Sequence, residues 1–513
     1  MRRLTGILSR LLWMVLGAVM AAAGVYTATR LQGPPLRPWH TLQPEADFHT
    51  QRAEVSDLRA YRALESRLVQ QWRSTVSQAR PGALSRYHPG NPLTARVSDR
   101  DWNRTVELPV ENPRGAVLLL HGMSDSPYRL RALALGLQAA GFRALALRLP
   151  GHGLVPAGLT RVTWEDMAAA VRLAVDHLRA TLGEGRPLVI VGYSNGAALA
   201  LDYTLEALSD PEWPVPVRLV LVSPAIAVSP AARFARLLVL AGHLPGLERL
   251  AWLSLQPEFD PYKFNSFPVN AGYQVHRLAR SVQARLGALE PVAWDRFPAV
   301  LAVQSVVDAT VVAPALVDGL MDRLHSGRDR LLLFDVNRDA EIMELFGRYD
   351  HGRVEALVEA DTPYAVTLVT NRDADSLEVV ARERPAGGGR VRTRPLDLSW
   401  PRGVYSLSHV ALPFPPDDPI YGRGTPDHPT LGGIELRGEQ NLLAVPPAQL
   451  LRLRYDPFYD YLERQVLEFL QGPAGRDGSV GHGPAYGEAS CEQVPGSYAP
   501  ASRRSRAARA RCR

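Results

Sequence analysis

Lysine is nearly absent from this 513-residue chain. Of 58 basic residues 57 are arginine, and Lys263 alone is lysine. Cysteine is almost as scarce, with Cys491 and Cys512 both near the C-terminal end. No disulfide framework can therefore staple the body, and no Cys/His cluster offers a structural metal site. No cofactor or metal is expected. The arginine excess reads as a base-composition bias and not as a binding device. The net charge of +6 is carried by the ends. Residues 1–40 hold five Arg and no acid, and residues 473–513 hold seven Arg against Asp477, Glu488 and Glu492, which leaves the body slightly acidic. A nucleic-acid surface needs its basic residues on the folded domain, so no nucleic-acid partner is expected. Internal repeats are absent too. What remains, 46% hydrophobic residues over this length, suffices for one full core with insertions.

The first long apolar run stands at the N-terminus. Arg2, Arg3 and Arg10 precede the uncharged stretch Leu11 to Thr29, which ends before Arg30. A bilayer core takes roughly 17 to 25 apolar residues. Trp13 and Tyr26 lie near the two ends, as interfacial aromatics do. Residues 1–30 are expected to form an uncleaved, single-pass anchor in the cytoplasmic membrane. The leading arginines keep its amino end inside and put the catalytic domain on the outer, periplasmic side. A cleaved signal peptide is the rival, since Ala21-Ala22-Ala23 offers small residues for cleavage. Residues 31–110 read as a Pro-rich linker and lead-in segment. Within it 51–78 reads as one polar helix with a stripe of Leu58, Tyr61, Leu64 and Leu68. The tail, 472–513, has almost no apolar anchors and reads as disordered.

Two strand–helix–strand units follow. Gly115 to Leu120 is an apolar strand ending in His121-Gly122-Met123-Ser124-Asp125-Ser126-Pro127. A helix over Leu130–Ala140 and a strand over Phe142–Leu147 come next, running into Pro150-Gly151-His152-Gly153. Residues 187–193 form another strand, broken at Gly192-Tyr193-Ser194-Asn195-Gly196, with a helix over Ala197–Leu208 directly behind. Such units in series predict a parallel sheet with right-handed crossovers, reactive groups gathering at the carboxyl ends of its strands. The Gly-x-Ser-x-Gly turn holds a serine clear of the sheet at a helix N-terminus.

Taken together, His121-Gly122, Pro150 to Gly153, Thr163-Trp164-Glu165-Asp166 and Gly192 to Gly196 resemble the α/β-hydrolase superfamily. The resemblance is to its carboxylesterase and monoacylglycerol lipase-like (serine aminopeptidase-like) branch. It implies an α/β-hydrolase fold over residues 111–471, mostly parallel, with helices on both faces and a helical cap. It also implies a serine nucleophile at Ser194, with an oxyanion hole from the backbone N–H groups of Met123 and Asn195.

The triad needs an acid and then a histidine. Pro298–Gln304 reads as a buried strand followed by Asp308, where such an acid stands, although an Asx-turn or helix cap before Pro314 would look the same. Five histidines follow. His325 ends a helix, His428 lies in a Pro/Asp loop and His482 in the tail. His409 closes a strand-like run, Gly403 to Phe414, and is the expected base. His351 is the rival, because the acid-to-base gap is usually short and Leu331–Phe334 could be the last strand. Choosing His409 puts an insertion, about 337–400, between acid and base. A second insertion, about 224–290, is strongly apolar and stands where a cap over an acyl cleft would be; its helices could equally pack on the sheet.

The expected function is a membrane-anchored serine hydrolase of small-molecule or lipid carboxylic esters, working through Ser194, Asp308 and His409. Acyl transfer by the same triad, or a non-catalytic binding module on the same fold, are the alternatives.

Overall fold

The computed structural model describes residues 13–472, apart from 15, 19, 22–23, 26, 30–31, 43–46, 52–53, 80, 94–99, 184, 228–234, 308–312, 347–349, 426 and 435–444. Among these residues no helix is long and apolar enough to cross a membrane. Parts of the expected anchor, Leu11 and Leu12 among them, lie outside the description, as does the tail from residue 473 with both cysteines.

Twelve strands are described: β1 (Val106–Leu108), β2 (Ala116–Leu120), β3 (Arg143–Leu147), β4 (Leu188–Tyr193), β5 (Arg218–Val222), β6 (Trp252–Ser254), β7 (Phe267–Pro268), β8 (Ala299–Ser305), β9 (Arg330–Phe334), β10 (Ala365–Asn371), β11 (Glu378–Arg384) and β12 (Arg392–Ser399). All but the small β6–β7 pair form one ten-stranded sheet in the order β1-β3-β2-β4-β5-β8-β9-β10-β11-β12. The run from β3 to β10 is parallel, while β1, β11 and β12 enter antiparallel. Order and direction are those of an α/β-hydrolase sheet prolonged at one side by β10 to β12.

The longer helices are α1 (Leu58–Ser77), α2 (Arg131–Ala139), α3 (Trp164–Leu182), α4 (Asn195–Ser209), α5 (Ala235–Ala241), α6 (Val269–Gly287), α7 (Ala313–Gly319), α8 (His351–Glu359) and α9 (Tyr459–Gln471). The central strands are buried on both faces, which is why they read as unbroken apolar runs. Alternate side chains serve two cores. Leu118, Leu120, Ile190 and Leu221 join α1, α3, α4 and α6 on one face. Val117, Leu119, Val191 and Val222 join α2 and α9 on the other.

The lead-in segment is bolted to this body. Asp57 caps α1 by accepting the Ala60 N–H at 2.7 Å, and the expected stripe Leu58, Tyr61, Leu64 and Leu68 is buried. At the end of β3 the buried Arg148 donates to Glu65 Oε1 (3.0 Å), to both Asp47 oxygens (2.8 and 3.1 Å) and to the His152 carbonyl (2.9 Å). Burial alone would raise Asp47, but Arg148 outweighs it and holds the carboxyl below its usual range.

The segment around His409 differs from expectation. The run 403–409 is not a strand: only Ser406 pairs, as a single bridge to Val336, and His409 stands in a turn. The 337–400 insertion extends the sheet with β10, β11 and β12 beside α8. It ends in an edge strand whose residues Arg392 to Pro395 are exposed, with a register shift between Val379 and Val380 opposite it and Asp397 at φ 52°. In the 224–290 segment α6 packs on α4 and sends Leu278, Val282 and Leu286 into the main core. Among that segment's described residues, Leu237, Leu240 and Leu244 in and after α5, and Leu253 on β6, present apolar side chains outward.

Candidate active site

Ser194 occupies the turn between β4 and α4 at φ 54°, ψ −113°. A left-handed serine costs on the order of 1–3 kcal/mol and persists only where its surroundings over-determine it. Here its N–H donates to the Val222 carbonyl (2.9 Å), and its own carbonyl accepts from Ala197 (3.1 Å) and Ala225 (3.0 Å). Both flanking glycines are required by contact. A Cβ on Gly192 would stand 2.4 Å from Ala197 Cα, and one on Gly196 would stand 2.1 Å from the Leu120 carbonyl oxygen.

Gly196 thus presses α4 against the end of β2, where the His121–Pro127 segment begins. Asn195 is the first residue of α4, so its N–H has no carbonyl partner within the helix. The Met123 N–H makes no backbone hydrogen bond among the described residues. His121 braces this segment. Its Nδ1–H donates to the Gly122 carbonyl (2.9 Å), and its Nε2 accepts the Leu149 N–H (3.1 Å). Burial, and then the neighbouring His152, push the imidazole down to about 3. The unfolded chain therefore takes up a proton near pH 6.5 that the folded chain refuses. The stability His121 contributes is full above that pH and is lost as pH falls from 6.5 towards 3. In urea titrations His121→Asn should be destabilised at pH 7.5, and its gap to wild type should shrink by about 1.4 kcal/mol per pH unit below 6.5. A gap that widens on acidification would contradict this.

His409 is half-buried, and its ring stacks against that of Tyr193, the residue before Ser194, at 6.4 Å between centroids and 17° between planes. Asp308 lies outside the described residues. Its neighbour Val307, past the end of β8, lines with His409 a cavity of about 570 Å³. Ser194 and Met123 do not line it. The walls come from Val307 and Val336 past β8 and β9, the 337–400 insertion and the late segment 403–453, not from the expected cap. His351 opens α8, whose N-terminus Asp350 caps. Among the described residues no group of three or more His, Cys, Asp or Glu is placed to hold a metal.

One component escaped the sequence reading. Arg129, 3% exposed, donates to Asp125 (2.6 Å) in the His121–Pro127 segment and to the Val410 carbonyl (2.9 Å) beside His409. Its guanidinium lies 5.1 Å from the Tyr193 ring centroid and 4.6 Å from that of Phe414. A single buried cation thus ties together the serine turn, the Met123 segment and the His409 turn. The spacing of Asp125 and Arg129, four residues apart, was the available signal.

Fold and site resemble those of α/β-hydrolases, in the monoacylglycerol lipase-like branch. Comparison with known proteins agrees. Residues 111–335 match the family described as "Serine aminopeptidase, S33". The chain is 28% identical over 177 residues to a thermostable monoacylglycerol lipase from Bacillus sp. (strain H-257); the match covers 34% of this chain and 66% of that protein, just under two thirds of it. Similar solved structures include one from a study of the metagenome-derived lipolytic enzymes LipS and LipT (23% identity, 45% of this chain, 87% of that one, TM-score 0.36). A monoacylglycerol lipase from Paleococcus ferrophilus is another (20% identity, 45% and 88%, TM-score 0.34).

Proposed function

We propose that this chain is a serine hydrolase of carboxylic esters, lipid esters among them, and that it forms an acyl-enzyme on Ser194. The observation that carries the reading is the left-handed Ser194, held between two obligatory glycines with an imidazole stacked on the residue before it. In this reading Ser194 Oγ attacks the ester carbonyl while His409 takes its proton. Asp308 holds the His409 tautomer and stabilises the imidazolium. The N–H groups of Met123 and Asn195 receive the oxyanion, each donor worth ~10²–10³ in rate. His409 then gives its proton to the leaving alcohol, and water, activated by the same imidazole, releases the acid. A fluorophosphonate probe should label the purified protein, and Ser194→Ala should abolish labelling. A folded wild-type protein that resists the probe would defeat the reading.

The N-terminal run belongs to the same proposal. Residues 1–30 anchor the chain in the cytoplasmic membrane with the hydrolase outside, as the leading arginines support. Alkaline phosphatase fused after residue 45 should be active, since that reporter works only once exported. An inactive fusion with an active cytoplasmic reporter at the same point reverses the orientation. The 224–290 segment, with Leu237, Leu240 and Leu244 outward, acts as the cap.

A further inference from the structure

The surroundings of His409 combine two unlike surfaces. The 570 Å³ cavity is walled by Val307, Leu345, Phe346, Tyr405, Leu450 and Leu451. Of these Leu345 is 84% exposed, Leu451 76% and Tyr405 52%. Large apolar side chains left in water around one concavity mark a surface that meets an apolar ligand.

A second, smaller cavity of about 100 Å³ adjoins it, and Arg452 lines both. The small cavity is cationic: Arg129, Lys263, Arg452 and Arg454 line it with Asp260. The acids available are too few. Asp125 serves both Arg129 (2.6 Å) and Lys263 (3.6 Å), and Asp260 lies 3.9 Å from Arg454. Among the described residues Arg452 has no acidic partner. The Nε of Arg129, on a side chain 3% exposed, is buried without a hydrogen-bond acceptor. A buried unmet donor of this kind costs free energy until something accepts its hydrogen. Lys263, the one lysine of the chain, has its pKa lowered by burial, so an arriving anion would restore stabilisation its ammonium lacks.

Both cavities lie against the His409 turn, and Ser194 lines neither. Val410, next to His409, lines the small one, and the N–H of Phe264, next to Lys263, donates to the Ser124 carbonyl (2.8 Å) beside Met123.

We infer that the substrates are amphiphilic esters carrying a fixed negative charge, their apolar chain in the larger cavity and their phosphate or carboxylate in the cationic one, with Arg452 bridging the two. The inference rests on the serine hydrolase reading and narrows it to a substrate class. An uncharged ester would fill the apolar cavity and leave the cations unmet.

A matched pair tests it: a monoacylglycerol and the corresponding monoacylglycerol phosphate, with the same acyl chain, both below their micellar concentrations. Wild type should favour the phosphate in kcat/KM by about tenfold or more, the factor one charge-assisted hydrogen bond supplies. The preference should weaken as salt rises. Arg452→Gln, at an exposed position where folding is not at risk, should bring the ratio towards one, and Lys263→Met should do likewise. Arg390→Gln, at an exposed position on the insertion, should leave the ratio alone. A wild-type ratio at or below one, with the monoacylglycerol turned over, overturns this inference and leaves the hydrolase standing. A ratio unmoved in Arg452→Gln overturns it as well. If neither ester is cleaved and the fluorophosphonate does not react, the underlying reading falls and takes this one with it.

Discussion

His409→Ala should lower kcat by about 10⁴-fold or more, measured on a short-chain p-nitrophenyl ester. Asp308→Asn should cost somewhat less. The double variant should lose little beyond His409→Ala, because the members of a triad act as one unit. His351→Ala should be nearly silent, since His351 opens helix α8 on the insertion while His409 stacks on the residue beside the nucleophile. The opposite pattern, an active His409→Ala and a dead His351→Ala, would move the base to the near side of the insertion. The fold and Ser194 would be unaffected. Thermal unfolding of each variant separates lost chemistry from lost structure.

Arg148→Met should be the most damaging change far from the serine. It keeps the bulk of the side chain but leaves Glu65, 1% exposed, and Asp47 in the interior without their cation. Breaking a buried pair from one side costs about 3–5 kcal/mol, a large share of the stability of an ordinary domain. Urea unfolding should show the midpoint falling by a corresponding amount. Limited proteolysis should cut first in the segment leading to α1, since both Asp47 and Glu65 of the lead-in segment are held by this guanidinium. A loss under 1 kcal/mol would mean that the two carboxylates take up protons and need no partner.

The sequence made the α/β-hydrolase body readable because its strands are buried on both faces. Unbroken runs such as Ala116–Leu120 and Leu188–Tyr193 have no competing helical period, and glycine marks where each one turns. The serine turn was equally plain, since Gly192 and Gly196 answer to contacts only a missing Cβ can satisfy. The stripe of α1 was legible as a period-3.6 pattern. The setting of His409 was not. Gly403 to Phe414 alternates like a strand, yet its hydrogen bonds go to its own turns, to Val336 and Asn337 just past β9, to Arg129 and to the 453 region, while β10 to β12 prolong the sheet. Arg129 was hidden for another reason. Apart from Asp125, four residues before it, its partners are a carbonyl and three aromatic rings drawn from distant parts of the chain, which no local pattern announces.

The way the great sheet stops bears on how copies of this chain can meet. At one side β1 is only three residues long. At the other, β12 turns out arginines, Pro395 withholds a donor, and Asp397 breaks the extended run at φ 52°. A strand so interrupted offers no continuous ladder to a neighbour. Such an edge works against crowded chains zipping edge to edge into fibres.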